Sequence, residues 1–520
     1  MQERYFPIGI QTFEKLRELN AIYVDKTDQV YRLATTGKYF FLARPRRFGK
    51  SLLISTFKAY FEGRKDLFDG LAIASLEKDW QQFPVLHLSL SKKRIVKTED
   101  VGILLDSVLR DLESIYGADP NTDKFQYGLR MADLVTRAHA QTGKDVVILI
   151  DEYDAPLLDT MHDQTLFVAV RQQMRDFFSP IKDLDGKLRF VFITGISKFS
   201  QLSIFSELNN LTTITMENEY AAICGITREE LSEQLRPEIK NLALAMGIQE
   251  STALARLKRK YDGYHFSKKS PDIYNPLSLL KCLREKEFNN YWFETGTPTH
   301  VTEIISQYVL RPEELEGFAA GEMDFNIAFE NAETPIPMLY QSGYLTIKKF
   351  DGYDYILGFP NEEVRVSFIR GLATYYTKKT ATENNSVILK TLRYVRNHDI
   401  DNALILFRSF FSSIPYDAEK QDENRYKTIF YLIFTLASDY TVRTEQRSAA
   451  GRCDALIETE DTIYLFEFKL DGTAEEALKQ IDDKGYAIQY EASEKKVVKI
   501  GVNFDKNKRT IERWVIAGAS

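Results

Sequence analysis

The sequence predicts a multidomain α/β protein, and three observations along its 520 residues support this fold class. In residues 1–225, short apolar strands alternate with helical stretches, which predicts a mostly parallel sheet covered on both faces. A helical middle follows, with a strand pair that turns at Asp351 and Gly352. The remainder reads as helix, three-stranded meander, helix and strand. We therefore predict three domains, at residues 1–225, 226–370 and 371–520.

The middle segment contains one recognisable unit. A short helix ahead of the strand pair at residues 343–358 would make this part winged-helix-like. Units of this kind bind DNA or pack as a lid, and the sequence does not choose between these two roles.

Composition and charge narrow the function classes. Hydrophobic residues make up 44% of the chain and charged residues 28%, which is ordinary for a globular protein. The net charge of −7 excludes a protein that coats nucleic acid through bulk positive charge. Nucleic-acid contact would need local basic patches, for which residues 44–50 and 256–260 are the candidates. The second of these runs is more typical of a solvated helix face.

The cysteines and the apolar segments indicate the cellular compartment in which the protein is expected. Cys224, Cys282 and Cys453 lie far apart without a CxxC spacing, so they favour neither a disulfide framework nor a zinc site. A reducing compartment suits such thiols, and we expect a cytoplasmic protein. The amino terminus has no apolar run of signal-peptide length, and residues 430–434 are too few to span a bilayer. We expect no membrane partner.

A phosphate-binding loop is predicted near the amino terminus. Residues 39–43 read as a buried strand, residues 44–51 are Arg-Pro-Arg-Arg-Phe-Gly-Lys-Ser, and a helix follows. This order of strand, loop and helix is the context that a P-loop requires. Lys50 would reach the β- and γ-phosphates of a nucleotide, and Ser51 would bind Mg²⁺. The other nucleotide contacts of the loop are assigned to Arg46, Arg47, Phe48 and Gly49.

The loop departs from the generic pattern at one position. Arg44 stands where G-x-x-x-x-G-K-[ST] has its first glycine, and Gly-Lys-Ser alone occurs often by chance. A second motif supports the assignment, because the apolar residues 146–150 end in Asp151 and Glu152, a Walker B pattern. Asp151 would join the Mg²⁺ shell, and Glu152 would polarise the attacking water. The alternative is a buried strand capped by two solvated acids.

Further strands complete the amino-terminal sheet, at residues 84–90, 189–194 and 211–215. An extra strand between the two motifs and a glutamate after the Walker B aspartate resemble the additional-strand class of P-loop NTPases. In that class a polar residue at the end of the next strand senses the γ-phosphate. Thr194 or Ser197 would occupy this place, and the alternative is a helix N-cap at Ser197 or Ser200.

The carboxy-terminal segment carries a second chemical pattern. Residues 451–458 and 463–469 read as two apolar strands joined by a short turn. Glu467 and Lys469 are two positions apart, so their side chains point to one face, and the hairpin can bring Asp454 beside them. Two carboxylates can hold Mg²⁺ together with water and phosphate oxygens. A lysine can stabilise the charge that develops on a phosphodiester.

This segment resembles the PD-(D/E)xK nuclease superfamily through Asp454, Glu467 and Lys469. We predict a helix at residues 424–438, a strand at 440–446, a helix at 474–490 and a strand at 497–502. This order fits the restriction-endonuclease-like α/β core. Asp454 and Glu467 would bind the metal, all three residues would be catalytic, and Glu445 and Gln480 are secondary candidates. The alternative is an exposed hairpin with a charged edge.

The chain as a whole resembles one bacterial family. Residues 7–10, 23–27, 44–51 and 151–154 (Asp-Glu-Tyr-Asp) are similar to motifs of the AAA-ATPase-like family. That family has the arginine-rich loop without the first glycine, so Arg44 departs from the general P-loop and not from the family. Its members commonly carry a PD-(D/E)xK domain at the carboxy terminus. The resemblance implies ATP and Mg²⁺ as cofactors.

Two functional hypotheses follow. In the first, an ATP-binding and ATP-hydrolysing protein controls its own Mg²⁺-dependent nuclease domain, which acts on DNA, with RNA as the alternative substrate. In the second, an ATP-operated switch holds nucleic acid or a partner in a nuclease-like domain that does not cut. The three core nuclease residues favour the first, and the acidic net charge favours the second. A homo-oligomer is compatible with both.

Overall fold

The chain divides into two compact units. This computed structural model describes residues 4–198, 211–292, 312–329, 332–414, 423–437, 441–448, 451–459, 461–470, 472–491, 493–505, 507–508 and 510–518. The first unit comprises Met1–Thr295 with Gly317–Glu363, and the second comprises Gly296–Glu316 with Val364–Ser520. The three-domain division at residues 1–225, 226–370 and 371–520 stays a prediction. Among the helices described, none has the length and apolar character needed to cross a bilayer.

Within the described residues, the first unit contains a five-stranded parallel sheet with the order β2-β3-β4-β1-β5. Its strands are β1 (Tyr39–Ala43), β2 (Val85–Ser89), β3 (Val146–Asp151), β4 (Leu188–Gly195) and β5 (Thr212–Thr213). Strand β4 lies between β1, which precedes the arginine-rich loop, and β3, which ends in Asp151. This insertion confirms the additional-strand P-loop fold. Because the strands are parallel, their carboxyl ends meet at one edge of the sheet.

Helices cover both faces of this sheet, as predicted. They are α1 (Phe13–Glu18), α2 (Thr27–Thr36), α3 (Lys50–Phe61), α4 (Ile73–Leu76), α5 (Thr98–Tyr116), α6 (Tyr127–Thr142), α7 (Ala155–Leu158) and α8 (Gln164–Phe178). Alternate strand residues point to opposite faces. Phe190 and Phe192 contact Phe57 of α3, with ring centroids 5.1 and 4.8 Å apart. Val191 and Ile193 point the other way, into a core shared with α5, α6 and α8.

A helical segment follows the sheet. Its elements are α9 (Arg228–Gln234), α10 (Arg236–Ala245), α11 (Glu250–Tyr261) and α12 (Pro276–Glu285), with the short strands β6 (Ile226–Thr227) and β7 (Ile273–Tyr274). In the basic run that ends α11, Lys258 forms an ion pair with Asp272 at 3.3 Å, and Arg259 forms one with Glu362 at 2.8 Å. Both basic side chains are more than half exposed. The run therefore has the character of a solvated helix face.

A winged-helix-like unit completes the first unit of the chain. It consists of β8 (Phe318–Ala320), α13 (Glu322–Phe325), α14 (Ile336–Gln341), β9 (Thr346–Phe350) and β10 (Tyr355–Gly358). The three strands form an antiparallel sheet with the order β8-β10-β9. The predicted turn between β9 and β10 is present, because the Asp351 carboxylate accepts the N–H groups of Tyr353 and Asp354 at 3.0 and 2.9 Å.

The second helix of this winged-helix-like unit is not available to read DNA. Nearly every side chain of α14 is buried, namely Ile336, Pro337, Leu339, Tyr340 and Gln341. A recognition helix must expose its side chains to base edges in a groove. The burial of α14 therefore favours the packing role over the DNA-reading role that the sequence left open.

The second unit is a sheet between helices. Its helices are α15 (Glu362–Thr377), which contains the boundary between the two units, α16 (Ala381–Arg396), α17 (Ile400–Ser412), α18 (Glu423–Ala437) and α19 (Ala474–Asp483). Its strands are β11 (Thr441–Ser448), β12 (Gly451–Glu458), β13 (Thr462–Lys469), β14 (Lys496–Asp505) and β15 (Thr510–Ala517). They pair in chain order, with β13 and β14 parallel and the other neighbours antiparallel. The predicted helix, meander, helix and strand are all present.

Two details differ from the sequence prediction. The helix expected at residues 474–490 ends at Asp483, because Gly485 adopts φ +59° and turns the chain away from the helix axis. Residues Ile488–Tyr490 form a separate 3₁₀ turn. The last strand, β15, was not predicted from the sequence.

Alternation along β13 separates its apolar and polar side chains. Phe466 and Phe468 contact Phe430 of α18, with ring centroids 5.0 and 4.9 Å apart. Glu467 and Lys469 lie on the other face, where α19 packs. The strand thus anchors itself in an aromatic core on one side and presents charged groups on the other.

We predict that Gly501→Ala destabilises the second unit, since α19 packs directly on β14 at this residue. An ideal Cβ at Gly501 would lie 2.1 Å from the Ala474 carbonyl oxygen and 2.6 Å from the Leu478 amide nitrogen. Both are backbone atoms, so relief requires a shift of α19, at a cost of about 1–3 kcal/mol. Thermal melting of the full chain measures the effect. Gly186→Ala is the control, because nothing lies within 4 Å of its added Cβ; equal losses in both variants would contradict the prediction.

Candidate functional site

A cleft of about 690 Å³ opens where the parallel strands end. Much of its polar lining comes from the loop after β1 and the segment after β3: Arg46, Arg47, Gly49, Lys50, Ser51, Glu152 and Asp154. The segment after β2 adds Ser91, Lys93 and Arg94. One wall is apolar and includes Ile8, Ile10, Leu277 and Leu280. The sequence pattern had given these four residues no role. A cleft with a cationic floor and an apolar wall has the chemistry to hold the phosphates and the base of a nucleotide.

The loop after β1 is shaped by two residues with positive φ. Arg47 has φ +70° and Gly49 has φ +90°, after which α3 begins at Lys50. The Lys50 ammonium donates to the carbonyl oxygens of Arg44 and Pro45, both at 3.0 Å. Burial lowers the pKa of Lys50, and the nearby Asp154 carboxylate opposes that shift. The lysine therefore sits inside the loop at the start of the helix, where helix amides attract anions.

Arg44 has a structural role that the sequence did not reveal. Its guanidinium is buried and donates to four carbonyl oxygens, those of Ala43 at 2.9 Å, Thr215 at 2.8 Å, Tyr220 at 3.1 Å and Ala221 at 3.4 Å. It also stacks on the Phe266 ring at 4.2 Å. Burial lowers the pKa of Arg44 to about 10. Arg44 therefore ties the start of the loop to chain segments far away in sequence.

Two predicted nucleotide contacts have side chains outside the cleft. The Phe48 ring is buried and packs edge-on against Tyr264 and Phe266, with centroids 4.8 and 5.2 Å away. The Thr194 hydroxyl donates to the Leu42 carbonyl at 2.8 Å and is also buried. Phe48 can reach a phosphate only through its backbone N–H. A sensing role for the Thr194 hydroxyl would require it to leave its present partner.

Ser51 and Asp151 form the pair that a divalent cation would use. The Ser51 hydroxyl hydrogen-bonds the Asp151 carboxyl, whose pKa is raised by burial and held back by this bond. The Asp151 Oδ1 atom is buried and has no hydrogen-bond partner among the described residues. Glu152 follows at φ +53° and lines the cleft. A hydroxyl and a buried carboxylate with an open oxygen fit Mg²⁺, which prefers hard oxygen ligands and retains water.

In the second unit, Asp454 and Glu467 meet where β12 and β13 begin to separate. Pairing runs from Glu458 to Ala455, opposite Phe466. Beyond that point side chains replace the backbone ladder. The Phe468 N–H donates to Asp454 Oδ2 at 2.9 Å, and the Asp454 N–H donates to Glu467 Oε2 at 3.4 Å. Both residues are buried: Asp454 exposes 8% of its surface to solvent, and Glu467 exposes 2%.

Lys469 and Gln480 complete this cluster. The Lys469 ammonium donates to Gln480 Oε1 at 2.5 Å, and the Gln480 amide donates to Glu467 Oε1. The ammonium lies 3.9 Å from Glu467 Oε1. The predicted convergence of Asp454, Glu467 and Lys469 is thus present, and Gln480 of α19 belongs to the cluster. Glu445 lies in β11, whose side chains are outside the described part of the structure.

The cluster supplies only some of the ligands that a bound cation would need. Among the residues that the structure describes, no group of three or more His, Cys, Asp or Glu side chains converges as a metal site. A cation between Asp454 and Glu467 would therefore take its other ligands from water and from substrate. This donor set fits Mg²⁺, which is commonly held by one or two carboxylates plus phosphate oxygens. Tyr486, which hydrogen-bonds Gln480, borders the cluster and was missed by the sequence analysis.

Comparison with known proteins gives a family match for each of the two parts of the chain that carry these side chains. The model of a family described as predicted AAA-ATPase matches residues 7–205. An uncharacterized protein in the vnfD 5′ region of Azotobacter chroococcum mcd 1 is 34% identical over 533 residues, which cover 99% of this chain and 99% of that one. The chain belongs to the AAA-ATPase-like family. The model of the PD-(D/E)XK nuclease superfamily matches residues 421–514, so this AAA-ATPase-like protein carries a nuclease-superfamily domain at its carboxy terminus.

A solved structure is also similar to part of the AAA-ATPase-like protein. It is the Aeropyrum pernix ORC1 protein in complex with DNA, with a TM-score of 0.25 and 10% sequence identity. The similarity covers 67% of this chain and 92% of the ORC1 chain.

We predict that Arg44→Gly, which restores the generic P-loop pattern, damages the AAA-ATPase-like domain. Four backbone carbonyls would lose their buried cationic donor, and each buried acceptor left without a partner typically costs about 1–3 kcal/mol. The melting temperature of the full chain should fall well below that of the wild type. Arg46→Gly is the control, since Arg46 lines the cleft. A melting temperature in Arg44→Gly equal to that of Arg46→Gly would contradict the structural role.

Proposed function

We propose that this protein binds and hydrolyses ATP in the cleft of the first unit, and that the nucleotide state controls a Mg²⁺-dependent nuclease site in the second unit. DNA is the proposed substrate, with RNA as the alternative. The observation that carries the nuclease assignment is the hydrogen-bonded cluster of Asp454, Glu467, Gln480 and Lys469. A charged edge on an exposed hairpin would not bury two carboxylates beside a lysine.

For ATP, each lining residue has a distinct part. Lys50 and the first amides of α3 would bind the β- and γ-phosphates, and Arg46 and Arg47 would add positive charge at the cleft wall. Ser51 and Asp151 would hold Mg²⁺, which supplies charge neutralisation to the phosphates when bound. Glu152 would accept a proton from the attacking water and aim that water at the γ-phosphorus.

For the phosphodiester, the cluster offers three functions. Asp454 and Glu467 would hold Mg²⁺, which polarises the phosphate when bound. Lys469 would stabilise the negative charge that develops on the phosphate oxygens. Gln480 contacts both Glu467 and Lys469 and so fixes the distance between the acid and the cation. These assignments give catalytic roles to Glu152, Asp454, Glu467 and Lys469.

We place the protein in the cytoplasm, as a homo-oligomer or a monomer, with ATP and nucleic acid as partners. The support for the compartment is that Cys224, Cys282 and Cys453 are buried free thiols. Such thiols persist in a reducing environment.

We predict that Lys50→Ala loses ATP affinity and that Glu152→Gln keeps it but loses turnover. Loss of a charge-assisted hydrogen bond of about 1.5–3 kcal/mol lowers affinity about 10- to 150-fold. Removal of a general base lowers kcat about 10²- to 10⁴-fold with little change in affinity. Calorimetric titration and phosphate release measure the two effects. Lys58→Ala is the matched control, because Lys58 lies on the same helix and its side chain is 44% exposed. Wild-type ATP affinity in Lys50→Ala would refute the P-loop assignment.

We predict that Asp454→Ala, Glu467→Ala and Lys469→Ala each lower nucleic-acid cleavage by about 10²-fold or more, since each removes a group from the reacting centre. ATP hydrolysis should remain. Cleavage of supercoiled, linear and single-stranded DNA and of RNA is assayed with ATP and Mg²⁺ each present or absent. Lys499→Ala is the matched control, because Lys499 lies on the neighbouring strand and pairs with Asp482 at 2.6 Å.

The metal dependence offers a second measurement. Mg²⁺ should raise the melting temperature of the wild type more than that of Asp454→Asn, because a cation relieves the repulsion between two adjacent carboxylates and the variant keeps only the Ser51 and Asp151 pair. Cleavage by Asp454→Ala at the wild-type rate would rule out the nuclease site. Binding of nucleic acid without cleavage by the wild type would favour the non-cutting switch instead.

A further inference from the structure

The segment just after β4 is held by a buried carboxylate on its cleft side. Asp154 Oδ2 accepts the N–H of Ile196 at 2.9 Å, the N–H of Ser197 at 2.7 Å and the Ser197 hydroxyl at 2.6 Å. Asp154 is 1% exposed and lines the nucleotide cleft. Three donors on one carboxylate oxygen are a strong, charge-assisted attachment. Asp154 therefore fixes the backbone of residues 196–197 beside the cleft.

Gly195 provides the room that this attachment needs. An ideal Cβ at Gly195 would lie 2.6 Å from Asp154 Oδ1 and 2.7 Å from the Tyr153 ring. The end of β4 and the segment after β3 thus approach each other more closely than any side chain at residue 195 would allow. This contact explains why a glycine precedes the segment that Asp154 holds.

The same segment is held from the opposite side by the winged-helix-like unit. The Lys198 N–H donates to Gln341 Oε1 at 2.7 Å. The Gln341 amide in turn donates to the carbonyls of Ile327 at 2.7 Å and Phe325 at 3.3 Å. Gln341 is buried on α14 and is not part of the cleft lining. Residues 196–198 therefore lie between one acceptor in the cleft and one outside it.

We propose that Asp154 and Gln341 are positioning residues for ATP turnover, which hold residues 196–198 from two sides beside the cleft that Lys50, Glu152 and Ile196 line together. The inference rests on the proposed ATPase function. It gives the winged-helix-like unit a part in that function, because α14 acts on the cleft through the Lys198 backbone. Asp154 acts through hydrogen bonds, so an amide at this position preserves its action, while a methyl group does not.

The test compares Asp154→Ala, Asp154→Asn and Gln341→Leu in the full chain. Misplacement of a catalytic segment by about 1 Å costs about 10²-fold in rate. Asp154→Ala should therefore lower kcat about 10- to 100-fold with the KM for ATP changed less than about threefold. Asp154→Asn should recover most of that loss, and Gln341→Leu should lower kcat about 3- to 10-fold by the same argument. If Asp154→Ala does not fold, Ser197→Ala, which removes one of the three bonds, should still lower kcat.

Thr346→Val is the matched control for the winged-helix-like side. Its hydroxyl accepts the His265 N–H at 2.8 Å and donates to the His265 carbonyl at 3.0 Å, so its hydrogen bonds join β9 to His265 and not to residues 196–198. This variant should keep wild-type kcat. Wild-type kcat in Asp154→Ala, equal losses in Asp154→Asn and Asp154→Ala, or equal losses in Thr346→Val and Gln341→Leu would each overturn the proposal.

Amide hydrogen exchange separates this proposal from the ATPase function itself. Without nucleotide, Asp154→Ala should speed exchange at Ile196 and Ser197, and Gln341→Leu should speed it at Lys198. If the wild type hydrolysed no ATP, the proposed function would fail, while exchange at these amides would still show whether the two side chains hold the segment. Unchanged exchange in both variants would overturn the proposal even in an active ATPase.

Discussion

The parallel pairing of β4 with both β1 and β3 is the constraint on which the first unit depends. The pairing continues past the strands, because the Arg44 N–H donates to the Gly195 carbonyl at 3.1 Å and the Tyr153 N–H donates to the Thr194 carbonyl at 3.2 Å. The carbonyls of Thr194 and Gly195, the last two residues of β4, thus fix the segments that follow β3 and β1. The arginine-rich loop, the acidic segment and residues 196–198 share one edge of the sheet because β1 and β3 both pair in parallel with β4.

In the second unit, a parallel strand pair also brings polar side chains together, but a crossover helix supplies one of them. Strands β13 and β14 are parallel, so the chain must cross over between them, and α19 makes that crossing. The close approach of α19 at Gly501 sets the helix against the sheet face that carries Glu467. Gln480 then reaches both Glu467 and Lys469. In both units, a parallel strand pair positions chemistry that no local segment could assemble alone.

The sequence predicted what depends on short-range periodicity. Apolar runs located the strands, and a spacing of two placed Glu467 and Lys469 on one face. It could not predict contacts between distant segments. Phe48 looked like a loop residue, but its ring is fixed by Tyr264 and Phe266, and Arg44 binds carbonyls at residues 215–221. The helix expected to reach residue 490 ended early, because helical periodicity does not reveal that Gly485 takes a positive φ.

Arg44 stands where the generic P-loop has its first glycine, and its contacts show how this loop is held without that glycine. A generic P-loop uses its first glycine for a tight turn, whereas here a buried guanidinium binds four carbonyls around the start of the loop. The loop still presents Gly49, Lys50 and Ser51 to the cleft. Two of the three N–H groups of the Lys50 ammonium already donate to loop carbonyls. The third N–H group remains for a phosphate. The loop is thereby shaped before any nucleotide arrives.

Local charge explains how an acidic protein can favour phosphate ligands. Among the residues that the structure describes, the cleft is lined by five cationic side chains and three acids, namely Arg46, Arg47, Lys50, Lys93 and Arg94 with Glu152, Asp154 and Asp159. The nuclease cluster sets two acids near Lys469. The cleft lining therefore carries more cations than acids and suits an anion directly, whereas the two carboxylates of the cluster outnumber its lysine and favour a divalent cation first. A cation held by these two carboxylates would reverse the sign of the local field, and the cation and Lys469 together would then attract a phosphate. A net charge of −7 therefore does not exclude phosphate binding at either place, because neither relies on the overall charge of the protein.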